Sequence, residues 1–163
     1  MFTRAFVALG ANLGDPVATV RTAIEALRGI AGTRFLAVSS LYRTAPVGLK
    51  HQPDFINAVA MLEADSAILP APSLLERLFA IEAAFGRVRS TRNAPRTLDL
   101  DLLLYGDRLL DLPGLTLPHP RMTERAFVLA PLAEIAPTLV VPGKGRVADL
   151  LPAVAGQHVE RLA

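Results

Sequence analysis

The stretch "RNAPRTLDLDLLLYG" (residues 92–106) sets two aspartates into an otherwise apolar strand pattern. Residues i and i+2 of a β-strand point to the same face of a sheet. Asp99 and Asp101 therefore share one face of the predicted strand. The opposite face carries Leu98, Leu100 and Leu102. We expect the leucines to pack beneath helices and the two carboxylates to lie on a face that is open to ligands.

Hydrophobic periodicity divides the chain before this strand into helices and further strands. The predicted elements are strand 4–10, helix 15–32, strand 33–44, strand 55–64, helix 73–86 and strand 96–106. Asp15 and Ser73 are suited to cap the two helices at their first turns. The loop 45–54 is too short to contain a helix, so the strands that it joins are expected to be antiparallel.

After the last of these strands the chain is rich in proline. A short helical stretch follows, which we expect to start at Thr123 and to break around Pro131. The βαββαβ order predicts an α+β fold, a ferredoxin-like open sheet with two helices on one face and extra C-terminal elements. The other face is then left for ligands, and residues 1–163 are expected to form a single domain.

The composition excludes several classes of site. The chain has 163 residues and no cysteine, which excludes disulfides, thiolate nucleophiles and cysteine-based zinc sites. A cytoplasmic location is compatible with this and is our expectation. No apolar run approaches the roughly 20 residues that span a bilayer, so we expect no membrane partner. The formal net charge of +2 does not favour a nucleic-acid partner.

The aspartate pair has two interpretations. Two carboxylates roughly 7 Å apart repel by about 2.5 kcal/mol at an effective dielectric constant of about 20, and by much less in bulk water. Either both side chains are fully hydrated, or a cation lies between them. Two hard oxygen ligands on one strand suit Mg²⁺, whose remaining ligands can be phosphate oxygens and water.

Four arginines within ten residues favour the second interpretation. These are Arg87, Arg89, Arg92 and Arg96. A guanidinium fork suits phosphate well, although the cluster alone could equally be a solvated basic loop. The acid pair and the arginine cluster together suggest a metal–triphosphate site. The chain has no GxxxxGK[ST] motif, so phosphate binding would have to use side chains.

Two further constellations carry polar groups that could meet a ligand. His119 lies between two prolines, and it is either directed at a ligand or bonded to nearby backbone. Asn57 offers a donor and an acceptor that can read an amide-like edge, and Phe55 could stack on a flat ring. The alternative is that Phe55 belongs to the core and Asn57 caps a turn.

Together these stretches resemble the 6-hydroxymethyl-7,8-dihydropterin pyrophosphokinases of folate biosynthesis. The resemblance runs through "ALGANLGD", "SSLYRTAPVG…QPDFINAVAMLE", "GRVRSTRNAPRTLDLDLLLYG" and "LTLPHPRMTERAFVLAPLAEIAP", and covers most of residues 5–142. It implies transfer of the β,γ-pyrophosphoryl group of ATP to the pterin hydroxyl, with release of AMP and the help of two Mg²⁺ ions. It also implies the ferredoxin-like sheet inferred above.

The resemblance assigns roles to residues that match the family motifs. The catalytic residues it implies are Arg87, Arg96, Asp99, Asp101 and His119, and the metal ligands are Asp99 and Asp101. The implied ATP-binding residues are Arg89, Arg92, Arg96, Thr116, His119 and Arg125. The implied pterin-binding residues are Thr44, Ala45, Val47, Phe55, Asn57 and Phe127.

Departures from the family pattern keep one alternative open. Asn93 stands where relatives often have tryptophan, and Gly114 stands where some carry a further arginine. A relative that binds pterin or ATP without efficient turnover would fit these changes. A nucleic-acid binder on the same sheet is disfavoured, because the central strands have few aromatic residues for stacking. We expect a monomer, and association with other folate enzymes stays open.

Overall fold

The computed structural model describes residues 1–45, 53–86 and 97–162. The described strands are β1 (Phe2–Ala11), β2 (Thr33–Val38), β3 (Tyr42–Thr44), β4 (Phe55–Asp65), β5 (Asp99–Tyr105), β6 (Leu110–Leu112), β7 (Leu115–Leu117), β8 (Val140–Val141), β9 (Gly145–Arg146) and β10 (Glu160–Arg161). The helices are α1 (Pro16–Arg28), α2 (Ala71–Ala84), α3 (Ala126–Ile135) and α4 (Val147–Leu150), with 3₁₀ turns at Met122–Glu124 and Leu151–Val154. Within these ranges no helix is both long enough and apolar enough to cross a membrane.

The main sheet has the order β10-β3-β4-β1-β5, and β2 also pairs with β4. All of its described strand pairs are antiparallel, which confirms the α+β class and the antiparallel pairing of the two middle strands. The predicted strand 33–44 is interrupted between β2 and β3. The Ser39 hydroxyl accepts a hydrogen bond from the Val59 N–H at 3.0 Å, so a side chain replaces a backbone partner where the strand breaks.

Helices α1 and α2 cover the face of the sheet to which the leucines of β5 point. Leu27 of α1 and Leu78 of α2 are fully buried in the same cluster as Leu100. The Asp15 carboxylate accepts from the Ala18 N–H at 3.2 Å and caps α1 as predicted. The predicted cap at Ser73 is wrong, because α2 begins two residues earlier, after Pro70, and has no side-chain cap.

The two predicted helices share one face, but the expectation that the opposite face is left free is wrong, because α3 covers part of it. Val128, Leu129 and Leu132 of α3 pack in a second cluster with Phe6 of β1 and Val59 of β4, and that cluster also contains Val141, Val147 and Val154 from the C-terminal elements. Helix α3 continues through Pro131, contrary to the expected break. Burial of the apolar residues around the proline offsets the roughly 3 kcal/mol that an interior proline costs a helix.

The Glu134 carboxylate joins the far end of α3 to the sheet edge. It accepts hydrogen bonds from the Ser40 N–H at 3.0 Å and from the Tyr42 hydroxyl at 2.6 Å, and Arg161 lies 3.6 Å away. Burial alone would raise the pKa of Glu134, but the hydrogen bonds from Tyr42 and Ser40 and the charge of Arg161 outweigh it and lower the pKa. Burial and the bond to Glu134 raise the pKa of Tyr42 to about 12.

Replacement of Glu134 by alanine is expected to lower the free energy of unfolding by about 2 kcal/mol at pH 7, because several charge-assisted hydrogen bonds are lost. Since folding lowers the pKa of Glu134, its contribution to the free energy of unfolding is fully present above the ordinary carboxyl pKa. This contribution is lost as pH falls through the pKa of the folded state. Urea denaturation at several pH values measures both effects.

Glu25→Ala is the matched control, since Glu25 forms an exposed pair with Arg28 at 3.2 Å. It should cost less than about 0.5 kcal/mol. Equal losses in the two variants, or a loss in Glu134→Ala that does not depend on pH, would contradict the proposed anchoring.

Candidate active site

A cavity of about 1010 Å³ opens on the face that α3 covers only in part. Its wall is drawn from β1, β3, β4, β5, the start of α3 and the segment before β10. Of the residues predicted for the site, the structure brings together Thr44, Ala45, Phe55, Asn57, Asp99, Asp101, Arg125 and Phe127. The cavity is therefore wide enough to accept a ligand of substrate size and carries both an aromatic region and an acidic region.

The floor of the cavity is a row of residues that lie opposite one another across three strands. Asn57 pairs with Gly10, and Gly10 with Asp99. Residues that are paired in this way project from the same face of an antiparallel sheet. Asn57 and Asp99 are two strands apart, about 10 Å between backbones. One glycine therefore separates the predicted pterin-binding amide from the predicted metal ligand.

The Asn57 side chain is held in place beneath the cavity. Its Nδ2 donates to the Thr44 hydroxyl oxygen at 3.0 Å, and both side chains are buried. A Cβ atom at Gly10 would lie 3.0 Å from the Asn57 Oδ1, so any other residue there would require this amide to shift by a few tenths of an ångström. Asn57 lies inside β4 and caps no turn, and Phe55 is half-buried at the cavity wall.

Asp99 and Asp101 lie opposite Gly10 and Ala8 of β1, and both line the cavity. Leu98, Leu100 and Leu102 are buried in the cluster beneath α1 and α2, which confirms the predicted division of faces. Among the described residues no group of three or more His, Cys, Asp or Glu side chains could hold a metal. Two hard oxygen ligands without a full protein cage fit Mg²⁺, which is commonly completed by phosphate and water.

A buried carboxylate that sequence reasoning missed holds the strand between the two aspartates. Glu82 of α2 is 1% exposed, and its Oε2 accepts from the Leu100 N–H at 2.8 Å. Because β5 ends the order of the main sheet, this bond gives its outer edge a partner from a helix. The visible signal was a glutamate at a core-facing helical position of α2.

His119 is not part of the cavity wall, but it lies close enough to Asp101 for that carboxylate to act on its pKa. The backbone N–H of His119 donates to the Leu103 carbonyl oxygen at 2.9 Å, and the ring Nδ1 accepts from the backbone N–H of Arg121 at 3.3 Å. Burial lowers the pKa of His119, Asp101 opposes this effect, and Arg125 and Arg121 add to it. The lowered pKa favours the neutral imidazole, and because Nδ1 accepts a hydrogen bond, this neutral form carries its proton on Nε2.

Comparison with known proteins agrees with this geometry. The family model for 7,8-dihydro-6-hydroxymethylpterin-pyrophosphokinase (HPPK) matches residues 6–137. The chain belongs to the HPPK family. A Pseudomonas aeruginosa 2-amino-4-hydroxy-6-hydroxymethyldihydropteridine pyrophosphokinase is 48% identical over 99% of this chain and 98% of its own. A Haemophilus influenzae protein of the same name is 40% identical, over 97% of each chain.

Solved structures extend the likeness to the fold. A Plasmodium falciparum HPPK-DHPS crystal structure with pterin and p-hydroxybenzoate superposes with a TM-score of 0.72 at 15% identity. The superposition covers 93% of this chain and 43% of that one. This chain thus spans less than half the length of those two-part proteins. At that identity the likeness supports the fold alone.

Not every residue predicted from the HPPK motifs lies in the cavity. Thr116 is exposed on β7, where it pairs with Asp111 of β6, and it is absent from the cavity wall. Gly114 lies in the turn between these strands with φ +80°, a conformation that other residues rarely adopt. Val47, Arg87, Arg89, Arg92, Asn93 and Arg96 lie outside the described residues.

The cavity also contains residues to which the HPPK motifs assigned no role. They are Ala8, Leu9, Gly10, Arg121, Glu124, Val128, Gln157, His158 and Val159. Those from β1 follow from the strand pairing, but the last three come from the segment before β10. That segment has no periodicity that would direct it toward the site, so its three cavity residues could not be predicted.

Gly10→Ala is expected to weaken binding of a pterin about tenfold, because the added methyl group displaces the Asn57 amide from Thr44. Calorimetric titration with 6-hydroxymethylpterin measures this loss. Gly29→Ala, at the end of α1, is the control, since its Cβ would meet only an ordinary contact of 3.6 Å. Pterin affinity in Gly10→Ala equal to that of the control would place the Asn57 amide outside the pterin subsite.

Proposed function

We propose that this HPPK-family chain transfers the β,γ-pyrophosphoryl group of ATP to the hydroxyl of 6-hydroxymethyl-7,8-dihydropterin and releases AMP, a step of folate biosynthesis. The observation that carries the proposal is the cavity floor, where Asn57 and Asp99 flank Gly10. A site of this width allows a pterin and a triphosphate to lie side by side. Such proximity is what a transfer between two bound substrates requires.

The aromatic and amide region is proposed to bind the pterin. Phe55 and Phe127 line the cavity from β4 and from the first turn of α3 and would stack on the ring. The fixed Asn57 amide, Thr44 and Ala45 would hydrogen-bond its polar edge. Val47 is proposed for the same edge on the strength of the family motif.

The acidic region is proposed to bind MgATP. Asp99 and Asp101 would hold two Mg²⁺ ions, which when bound neutralise phosphate charge and lower the pKa of the pterin hydroxyl. Arg125 lines the cavity and would pair with phosphate oxygens. The arginines proposed for the remaining phosphate oxygens are Arg87, Arg89, Arg92 and Arg96, and Thr116 is proposed to contact the nucleotide.

The reaction forms a bond from the pterin oxygen to the β-phosphorus and breaks the bond from that phosphorus to the α,β-bridging oxygen. Negative charge then develops on the departing AMP. In its neutral form His119 carries its proton on Nε2 and would donate a hydrogen bond to this leaving group. Arg125 supplies a fixed positive charge, and no side chain is assigned as the general base.

The proposal also covers the topology of the sheet, the number of domains, the oligomeric state and the location of the protein. A ferredoxin-like arrangement is supported by the path β3-β4-β1-β5, which places the first strand between the third and the last of the βαββαβ series. We propose one domain over residues 1–163 that acts as a monomer in the cytoplasm. Absence of a nucleic-acid partner and association with other folate enzymes stay predictions.

AMP release from ATP is expected to require both the hydroxymethyl-dihydropterin and Mg²⁺, and chelation by EDTA should abolish it. Asp101→Asn should lower the rate more than about 100-fold, because a metal ligand loses its charge. Chromatographic quantitation of AMP provides the measurement. ATP consumption that proceeds equally well without the pterin would refute the proposed function.

The control for this variant is Asp107→Asn, an exposed aspartate in the turn after β5. It should keep the activity and thermal stability of the wild type. A large loss of stability in Asp101→Asn would assign a structural role to the carboxylate instead.

Phe127→Leu is expected to raise KM for the pterin about tenfold and to leave KM for ATP within twofold, because ring stacking is lost. Steady-state kinetics with each substrate varied in turn separates the two constants. Phe2→Leu is matched to it, since Arg34 lies over the Phe2 ring at 3.9 Å much as Arg125 lies 5.4 Å from the Phe127 ring. Equal changes in both Michaelis constants would contradict a pterin-specific contact.

A further inference from the structure

Gln157 reaches the backbone on both sides of Arg125. Its Oε1 accepts from the Ala126 N–H at 2.9 Å, and its Nε2 donates to the Glu124 carbonyl oxygen at 2.8 Å. The two peptide groups that flank Arg125 are therefore joined by one side-chain amide from 31 residues further along the chain. Gln157 also lines the cavity.

Arg125 lies where the chain changes from one helix type to another. It follows the 3₁₀ turn Met122–Glu124, precedes α3 and has an extended backbone with φ −123° and ψ 115°. The first N–H groups of a helix have no partner within that helix. Arg125, the N-cap residue of α3, makes no side-chain capping bond, and Gln157 provides the acceptor for the Ala126 N–H.

We propose that Gln157 is a positioning residue, which acts through Arg125 and Phe127 and takes no part in the chemistry itself. By holding the peptide groups before and after Arg125, the amide sets the direction in which the guanidinium leaves the backbone. The bond from the Ala126 N–H to the Gln157 Oε1 also fixes the first turn of α3, which carries Phe127. The proposal rests on the proposed function in that Arg125 is taken to meet phosphate and Phe127 the pterin.

The segment that carries Gln157 is held by contacts of its own. The Gln157 N–H donates to the Val154 carbonyl at 3.0 Å. Downstream, β10 pairs with β3, and the Leu162 N–H donates to the Leu41 carbonyl at 2.9 Å. Loss of the Gln157 amide therefore leaves the segment docked, so its effect can be measured apart from unfolding.

The test compares Gln157→Leu, which keeps the size of the side chain, with Gln157→Glu, which keeps the acceptor for Ala126 and loses the donor to Glu124. Affinity for a non-hydrolysable ATP analogue with Mg²⁺ and for 6-hydroxymethylpterin is measured by calorimetry. Glu160→Ala is the control from the same segment, since Glu160 is exposed on β10. Gln157→Leu is also combined with Arg125→Ala to form a double-mutant cycle.

Gln157→Leu should weaken binding of the ATP analogue about five- to tenfold, with a Tm within about 3 °C of the wild type. Gln157→Glu should weaken it less, and Glu160→Ala should stay within twofold. In the Arg125→Ala background the added effect of Gln157→Leu should shrink below twofold, a readout that a purely structural role would not move.

Unchanged affinity in Gln157→Leu overturns the proposal, and so does an equal loss with and without Arg125, which would make Gln157 a helix cap only. A wild type that binds no ATP analogue overturns it as well. If the variants show the expected differences in binding but the wild type releases no pterin-dependent AMP, the proposed function is refuted and the role of Gln157 is retained.

Discussion

The register of β5 against β1 is the constraint on which the site depends. Asp99 and Asp101 lie opposite Gly10 and Ala8, and the leucines between and beside them enter the core. Because strand side chains alternate strictly, a slip of one residue would bury both carboxylates and expose the leucines to the cavity. Burial of several leucines opposes that slip by several kcal/mol in total. The hydrophobic core therefore places the acidic region without any contact to a ligand.

A bulge in this pairing links the strand to His119. Phe6 lies opposite Leu104 while Val7 lies opposite Leu102, so Leu103 is the extra residue. Its carbonyl accepts the His119 N–H at 2.9 Å. Bulges interrupt the ladder and leave a backbone group for another partner. The irregularity thus holds the segment that carries His119 close to the carboxylates, near enough for Asp101 to influence its pKa.

Features of local origin could be predicted from the sequence, and contacts between distant segments could not. The two-residue alternation in β5 separated Asp99 and Asp101 from the core leucines correctly. The Ser39 break and the helix through Pro131 both depend on tertiary partners or packing that outweigh local preference. Glu82 and Gln157 were missed for the same reason, since each bonds to backbone that is remote in the chain.

The floor of the cavity and the wall formed by α3 differ in how they are held. Asn57 and Gly10 of the floor belong to β4 and β1, which are paired on both sides, so these two residues are fixed by the sheet itself. The wall formed by α3 lies against that sheet through apolar side chains and is anchored at its far end by Glu134. Apolar packing is not directional, whereas hydrogen bonds require a defined geometry. The orientation of this second wall, and with it the distance between Phe127 and the floor, is therefore set by polar contacts at the two ends of one helix.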